Sequence, residues 1–258
     1  MKSNEIDRLR EKIDQLDRSI VDLISQRTAV AEEIGQIKKR QDLPIFRPDR
    51  HGAVYDRVAD SVPEAMASGI RYIYREIMSL GMAVEGDLVF LCPDALSGAA
   101  ARFAFGSSVE IALADAPGIL RRVSADRNAF GFVPAGKADA VFESLLDGDV
   151  LCYGEVVLRP DHRRYIILST WNCPRSGRDK TSVAASGDLK ALISCIEDAG
   201  REVLRVETFH SQKHQGPCAF LDFPGHREDP DCAVILENIK SRSDYFHFLG
   251  SYPAAAEL

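Results

Sequence analysis

Apolar residues recur at steps of three and four along the first part of the chain. The series comprises Leu9, Ile13, Leu16, Ile20, Leu23, Val30, Ile34 and Ile37. This spacing is typical of one face of an amphipathic helix, and neither Pro nor Gly interrupts it before Gly35. The sequence therefore predicts a helix of roughly thirty residues or more, against a mean of about 11–12. Because a lone helix of that length cannot bury its apolar face, we expect it to pack along a partner.

Three cations on this helix are candidate ligands for an anion. Arg27 falls on the apolar face itself, where a charge is costly to bury unless it is paired. Lys38 returns to nearly the same face ~16 Å further along, so that the two side chains could hold one small dianion. Arg10 lies ~25 Å before Arg27 and could reach such a pocket only from a second chain in an antiparallel dimer. The alternative is a solvated helix whose cations pair with neighbouring acidic residues.

The remainder of the chain divides into three further parts by its pattern. Pro48 and Pro63 suit the first turns of two helices that end near Ala59 and Glu85, which completes an all-α module over residues 1–86. Strands and helices then alternate over residues 87–171, as in an α/β layer. Expected strands lie near 88–92, 109–113, 130–133, 150–158 and 165–168, and expected helices near 97–105, 115–124 and 137–146. Residues 172–178 have the composition of a linker.

The last part, residues 179–258, has a regular order of elements. Strands are expected near 180–185, 202–209, 218–223 and 245–250, and helices near 188–199 and 230–241. This βαββαβ order is that of the ferredoxin-like split unit.

Composition excludes several classes of function. The net charge of −7 disfavours a general binder of nucleic acid or of anionic membranes. The N-terminus lacks the apolar core of a signal peptide, and no apolar run approaches membrane-spanning length. The six cysteines show neither a CxxC pair nor zinc spacing, so we expect a cytoplasmic protein with reduced thiols and neither metal nor cofactor.

Several motifs carry a resemblance to one enzyme family. Residues 9–17 (LREKIDQLD), Arg27, Lys38 and residues 46–50 (FRPDR) resemble the all-helical, AroQ-type chorismate mutase. Residues 74–79 (YREIMS) and Glu85 are similar to the third helix of the version fused to prephenate dehydratase. The motifs DKTS (179–182), RVET (205–208) and LGSYP (249–253) resemble the ACT domain of that enzyme. The resemblance implies an intertwined helical homodimer followed by a dehydratase-like lobe and an ACT-like domain.

The middle of the chain departs from this family. The dehydratase has two lobes, whereas residues 155–160 here lead almost directly into 163–168. The glycine-rich turn of the family reads CPDAL at 92–96, and its Thr-Arg-Phe motif reads Arg163-Arg164-Tyr165. We therefore expect residues 87–171 to be a degenerate, non-catalytic lobe. In the ACT-like domain the ligand motif is altered at 207–210. Two roles for this domain stay open: binding of phenylalanine as an effector, and dimerisation alone.

The resemblance also implies a reaction and the residues that carry it. Chorismate rearranges to prephenate in a pericyclic step that needs a dianion held in its reactive conformer and donors aimed at the ether oxygen. Arg27 and the partner's Arg10 would hold the two carboxylates, because a guanidinium binds a carboxylate bidentately. Lys38 and Glu85 would flank the ether oxygen. If Glu85 donates as a neutral carboxyl, activity should fall as pH rises through its ionisation.

Three further positions belong to the pocket that the resemblance implies. Arg50 would support the substrate, His51 stands where the family usually has Glu, and Gly81 would pack near the substrate. The change at His51 keeps two related activities open, those of an isochorismate pyruvate lyase and an aminodeoxychorismate mutase. A bifunctional mutase/dehydratase is a third alternative, and a non-catalytic regulator of the aromatic pathway is a fourth. The retention of Arg10, Arg27, Lys38 and Arg50 together disfavours the regulator.

Overall fold

Three helices form the N-terminal part of the computed structural model, which describes residues 2–135, 145, 148–158, 162–211 and 216–257. They are α1 (Lys2–Gln41), α2 (Pro48–Asp60) and α3 (Glu64–Glu85). The long first helix predicted from the apolar periodicity is confirmed, and it continues beyond the predicted series at both ends. No helix in the described ranges combines the length and apolarity needed to cross a bilayer.

The face of α1 that packs on α3 is not the predicted apolar stripe. Ala31 and Gly35 are buried there, and a Cβ atom at Gly35 would overlap the backbone of Glu85. The helices therefore approach to backbone contact, which a side chain at Gly35 would prevent. The stripe lies to one side and faces solvent in the single chain. Its members Leu9, Ile13, Leu16 and Ile20 each expose more than half of their surface.

A six-stranded sheet follows the helical module. Its strands in chain order are β1 (Val89–Cys92), β2 (Glu110–Leu113), β3 (Ala129–Pro134), β4 (Leu151–Leu158) and β5 (Arg163–Ser169), with a short β10 added from the C-terminus. The order across the sheet is β10-β4-β5-β3-β1-β2. Helices α4 (Ala95–Phe105) and α5 (Ala116–Ala125) begin at the capping carboxylates of Asp94 and Asp115. The helix predicted near 137–146 falls mostly outside the described residues.

The C-terminal part has the predicted βαββαβ order. Its elements are β6 (Asp179–Ser186), α6 (Leu189–Glu197), β7 (Arg205–Ser211), β8 (Gly216–Pro224), α7 (Pro230–Arg242) and β9 (Tyr245–Pro253). The antiparallel sheet has the order β7-β8-β6-β9. One element was not predicted: β10 (Ala256–Glu257) leaves this unit and pairs in parallel with β4.

The connection between α1 and α2 anchors the helical module to the first sheet. Phe46 is 2% exposed, and its ring meets those of Phe90, Phe105 and Phe130 edge-on at centroid distances of 5.4–5.6 Å. The Tyr153 hydroxyl donates to the Phe46 carbonyl oxygen at 3.0 Å. Because aromatic side chains of this size contribute much of the energy of a core, the module is held against the sheet rather than tethered to it.

Four charged side chains, three of them buried and Arg164 partly buried, join the two sheets. Arg164 on β5 forms an ion pair with Glu155 on β4 at 2.9 Å and donates to Asp222 on β8 at 2.8 Å, and Lys180 on β6 pairs with both carboxylates. The side chains of Glu155, Lys180 and Asp222 are 6%, 7% and 1% exposed. Burial alone would raise the pKa of Asp222, but the nearby cations Lys180 and Arg205 hold it below its ordinary value. Asp222 therefore stays a carboxylate among cations in the interior.

Replacement of Asp222 tests this joint. Asp222→Asn would leave Lys180 and Arg164 against a single buried carboxylate, so we expect the free energy of unfolding to fall by about 3–5 kcal/mol. Urea unfolding at neutral pH measures the change. Asp231→Asn, which removes the exposed partner of Arg201 on α7, is the matched control and should have little effect. Equal stability of the two variants would contradict a structural role for the cluster.

Candidate active site

Lys38 and Glu85 meet where the ends of α1 and α3 come together. Lys38 Nζ lies 2.5 Å from Glu85 Oε2 and donates to the Ile45 carbonyl oxygen at 2.7 Å. The two side chains are 19% and 15% exposed. An ammonium group has three donors, so two of them are used in these contacts and the third is available to a ligand.

Arg27 lies further back along the same helix pair. Its Nη1 donates to the Ile77 carbonyl oxygen of α3 at 3.3 Å. Gly81 makes room for it, since a Cβ atom at Gly81 would lie 3.3 Å from the same nitrogen. The guanidinium is half-buried, and most of its five donors are not used by this one hydrogen bond. Sequence reasoning placed Arg27 and Gly81 in one site, and the structure brings them together.

Two other predicted residues are not brought to this site by the single chain. Arg10 lies on the exposed part of α1, with its side chain 73% exposed and Asp7 as an ion-pair partner at 3.4 Å. Arg50 is exposed on α2. The carbonyl groups of Ile45 and Ile77 were missed, because a backbone acceptor leaves no mark in a sequence. The contact at Gly35 could have been found from the small residues Ala31 and Gly35, four positions apart on one helical face.

His51 lies in the core between α2 and the first sheet. Its Nε2 is 3.0 Å from the Tyr55 hydroxyl, and its ring meets those of Phe46 and Phe105 edge-on. These contacts do not bring it to Lys38 and Glu85, and they give it a role in packing. Burial disfavours the imidazolium and lowers the pKa of His51 from 6.5 to about 4.

The pKa of His51 predicts an acid-sensitive fold. Between pH 6.5 and about 4 the unfolded chain binds a proton that the folded chain excludes, so stability is lost as pH falls. We expect this group to remove about 2–3 kcal/mol between pH 7 and pH 4.5. Urea unfolding at both pH values should show a smaller loss in His51→Gln. His162→Asn, at an exposed histidine, should match the wild type, and an equal loss in His51→Gln would refute the assignment.

The arrangement as a whole suits a small anionic ligand. Two cations face the groove between α1 and α3, one of them paired with a carboxylate, and both still have free donors. Such groups can hold carboxylates and stabilise negative charge that develops on an ether or carbonyl oxygen. Within the described residues, no group of three or more His, Cys, Asp or Glu side chains is arranged to hold a metal ion.

Comparison with known proteins agrees with this geometry. Residues 9–86 match the family of chorismate mutase type II. The chain is 24% identical over 360 aligned residues to the bifunctional chorismate mutase/prephenate dehydratase of Stutzerimonas stutzeri, covering 98% of this chain and 99% of the relative. Since this chain has 258 residues, about a hundred positions of that alignment have no counterpart here.

Two further comparisons cover smaller shares of the chain. A chorismate mutase of Methanocaldococcus jannaschii is 38% identical over 50 residues, which cover 19% of this chain and 50% of that protein. The solved structure of a prephenate dehydratase of Arthrobacter aurescens in complex with L-Phe superposes with a TM-score of 0.55 at 15% identity, over 65% of this chain and 90% of that one. Residues 9–86 therefore match the chorismate mutase type II family, in a chain that is similar over nearly its whole length to the bifunctional chorismate mutase/prephenate dehydratases.

Proposed function

We propose that the chain converts chorismate to prephenate at the site between α1 and α3. The observation that carries the proposal is the junction of Lys38 and Glu85 beside Arg27, within the stretch that matches chorismate mutase type II. The rearrangement forms a carbon–carbon bond while the ether C–O bond breaks, and it needs no covalent help from the protein. What it requires is a dianion held in the compact conformer with donors at the ether oxygen.

The residues present suit each of these tasks. Arg27 would bind one substrate carboxylate through its unused donors. The third donor of Lys38 would point to the ether oxygen, where negative charge grows in the transition state. Its contacts to Glu85 and to the Ile45 carbonyl oxygen fix the direction of the ammonium group, so that little reorganisation is needed when the substrate binds. Arg50, exposed on α2, would contribute to the rim of the pocket.

We also propose that the active form is a homodimer with composite sites. The apolar stripe of α1 is exposed in the single chain, and large apolar patches of this kind mark sites of association. Arg10 lies on the same exposed part of the helix, too far along it to reach its own Arg27. In an antiparallel pairing of two α1 helices, the stripe would be buried and the partner's Arg10 would complete the pocket.

Loss of the dehydratase activity is the third part of the proposal. About a hundred aligned positions of the bifunctional relative are missing, and β4 leads into its antiparallel neighbour β5 where the family inserts a second lobe. Arg163 also stands in place of the family threonine. We assign residues 179–258 to an ACT-like domain from their βαββαβ order, and its part in this proposal is assembly.

Product analysis with purified protein tests the reaction. We expect chorismate to be consumed and prephenate to accumulate without phenylpyruvate. Arg10→Ala should lower kcat/KM by at least about tenfold, because a charge-assisted contact to a carboxylate is lost, while helix content is unchanged. Arg18→Ala, at another exposed arginine on α1, is the control and should retain activity.

Each other outcome of this assay points to an alternative. Phenylpyruvate would indicate a bifunctional enzyme. Turnover of isochorismate with release of pyruvate, or of aminodeoxychorismate in preference to chorismate, would indicate one of the two related activities. If none of these substrates is consumed, the chain is a non-catalytic regulator and the proposal is wrong.

Gly35→Ala tests whether helix contact places the catalytic pair. The added methyl group would push α1 from the backbone of Glu85, and a displacement of about 1 Å at a reacting centre can cost about 10²-fold in rate. We therefore expect kcat/KM for chorismate to fall about 10²-fold. Gly69→Ala, on α3 where an added Cβ meets nothing within 4 Å, should leave activity unchanged. Equal activity of both variants would exclude this role for Gly35.

A further inference from the structure

One residue of the first sheet reaches the helical module. Tyr153 lies on β4, outside the stretch that matches chorismate mutase type II, and it is fully buried. Its hydroxyl donates to the Phe46 carbonyl oxygen at 3.0 Å, from 107 residues further along the chain. Burial raises the pKa of this hydroxyl, so it stays protonated and remains a donor. The contact therefore ties the loop between α1 and α2 to the sheet.

A β-bulge aims Tyr153 at this loop. The register of β4 against β5 shifts between Cys152 and Gly154, so that Tyr153 is an extra residue between two successive pairs. A bulge of this kind turns a side chain away from the direction that regular alternation would give it. The next residue also meets the helical module, since a Cβ atom at Gly154 would lie 2.9 Å from Pro48 Cγ at the start of α2. Two successive residues of β4 thus contact the segment 46–48.

The anchored residue directly follows the backbone acceptor of Lys38. The Ile45 carbonyl oxygen accepts from Lys38 Nζ at 2.7 Å. Because peptide groups are planar, only the two backbone dihedrals of Phe46 separate this carbonyl from the one that Tyr153 binds. The Phe46 ring is itself buried among the aromatic rings of the first sheet. A displacement of Phe46 would therefore move the Ile45 carbonyl and the ammonium group that it orients.

The Ile45 side chain connects the same loop with the other member of the charged pair. It packs against the end of α3, where a Cβ atom at Gly86 would lie 2.6 Å from Ile45 Cδ1. Gly86 directly follows Glu85, whose carboxylate lies 2.5 Å from Lys38 Nζ. The loop thus places a carbonyl oxygen on Lys38 and an apolar side chain beside Glu85. Contacts that fix the loop also fix the positions of these two charged groups.

We propose that Tyr153 is a positioning residue of the mutase site, which fixes the loop whose carbonyl directs the Lys38 ammonium group. The inference rests on the proposed chorismate rearrangement at that site, and it adds a contribution from outside residues 9–86. Tyr153 lies behind the loop, so it acts through Lys38 and not on the substrate. It reduces the reorganisation that Lys38 needs when negative charge develops on the ether oxygen.

Removal of the hydroxyl alone tests the proposal in the full chain. Tyr153→Phe keeps the buried ring and loses the hydrogen bond to Phe46. We expect kcat for chorismate to fall about five- to tenfold, as for the loss of one hydrogen bond. KM should change less than about twofold, because a donor aimed at the ether oxygen acts mainly in the transition state. Loss of folded protein alone would not depend on the substrate, and thermal unfolding measures it separately.

Tyr252→Phe is the matched control. The Tyr252 hydroxyl is also buried, and it lies 2.8 Å from Ser182 Oγ. Its removal costs one buried hydrogen bond in the C-terminal unit rather than at the loop. Thermal unfolding should show a similar loss of stability in this variant and in Tyr153→Phe, whereas kcat and KM of Tyr252→Phe should match the wild type.

A second readout does not use chorismate. The Lys38 ammonium group is held by two hydrogen bonds, so its ¹⁵N NMR signal should be protected from exchange with water at low temperature. Lys38→Arg identifies this signal by its loss. Tyr153→Phe should broaden the signal, and Tyr252→Phe should leave it unchanged. Phe46→Leu, which trims the anchored ring and keeps both carbonyl groups, should lower kcat in the same way and replaces Tyr153→Phe if that variant does not fold.

Three results would overturn the inference. They are equal kcat in Tyr153→Phe and Tyr252→Phe, a rise in KM with kcat unchanged, and a Lys38 signal that is the same in Tyr153→Phe as in the wild type. If the wild type does not consume chorismate, the proposed function fails instead. The Lys38 signal then still decides whether Tyr153 orders the ammonium group, so the two failures can be told apart.

Discussion

Backbone contact between α1 and α3 at Gly35 is the constraint on which the candidate site depends. It fixes the end of α3 against α1, so that the Glu85 carboxylate comes to the Lys38 ammonium group one turn further along. Gly81 lets the guanidinium of Arg27 lie against the same helix pair. The loop after α1 then supplies the Ile45 carbonyl oxygen as a second acceptor for Lys38. Small residues, rather than the large apolar ones, thus determine the positions of the charged side chains.

The same loop connects the site with the rest of the molecule. Phe46 follows Ile45 and fills the aromatic core of the first sheet. The position of the Ile45 carbonyl is therefore set by packing on the α/β side, although the cation that it binds belongs to the helical module. The first sheet therefore serves as a scaffold for the helical module. The charged cluster between the two sheets joins this scaffold to the C-terminal unit.

Much of the fold could be predicted from the sequence, and the exceptions have physical causes. The helix α1 and the βαββαβ order follow from strong periodicity and from the turn residues between elements. The apolar periodicity places the inward face of α1 on Val30 and Ile34, one residue before the buried Ala31 and Gly35, because the larger residues carry more apolar surface. A strand of two residues such as β10 is too short to show any pattern. It forms only because it pairs with β4, which lies about a hundred residues earlier in the chain, and local sequence carries no signal for that pairing.

The candidate site, like the fold, could be predicted only in part. The charged residues Arg27, Lys38 and Glu85 could be named from spacing and from the family resemblance, and the structure brings them to one helix pair. The burial of His51 could not be predicted from the sequence, because it results from aromatic residues of another part of the chain, above all Phe105. A cavity lined by α2, α3 and the first sheet likewise arises only when these elements are assembled.

The most direct test of the central claim, a site shared between two chains across α1, is to mix two inactive variants. Arg10→Ala and Lys38→Ala disable different contributions to each proposed site. A mixed dimer contains one site with both defects and one with none. If sites are composite, refolding the two variants together in equal amounts should restore about a quarter of wild-type chorismate turnover, since about half of the dimers are mixed. If the mixture is no more active than the separate variants, the site is not shared and the account is wrong.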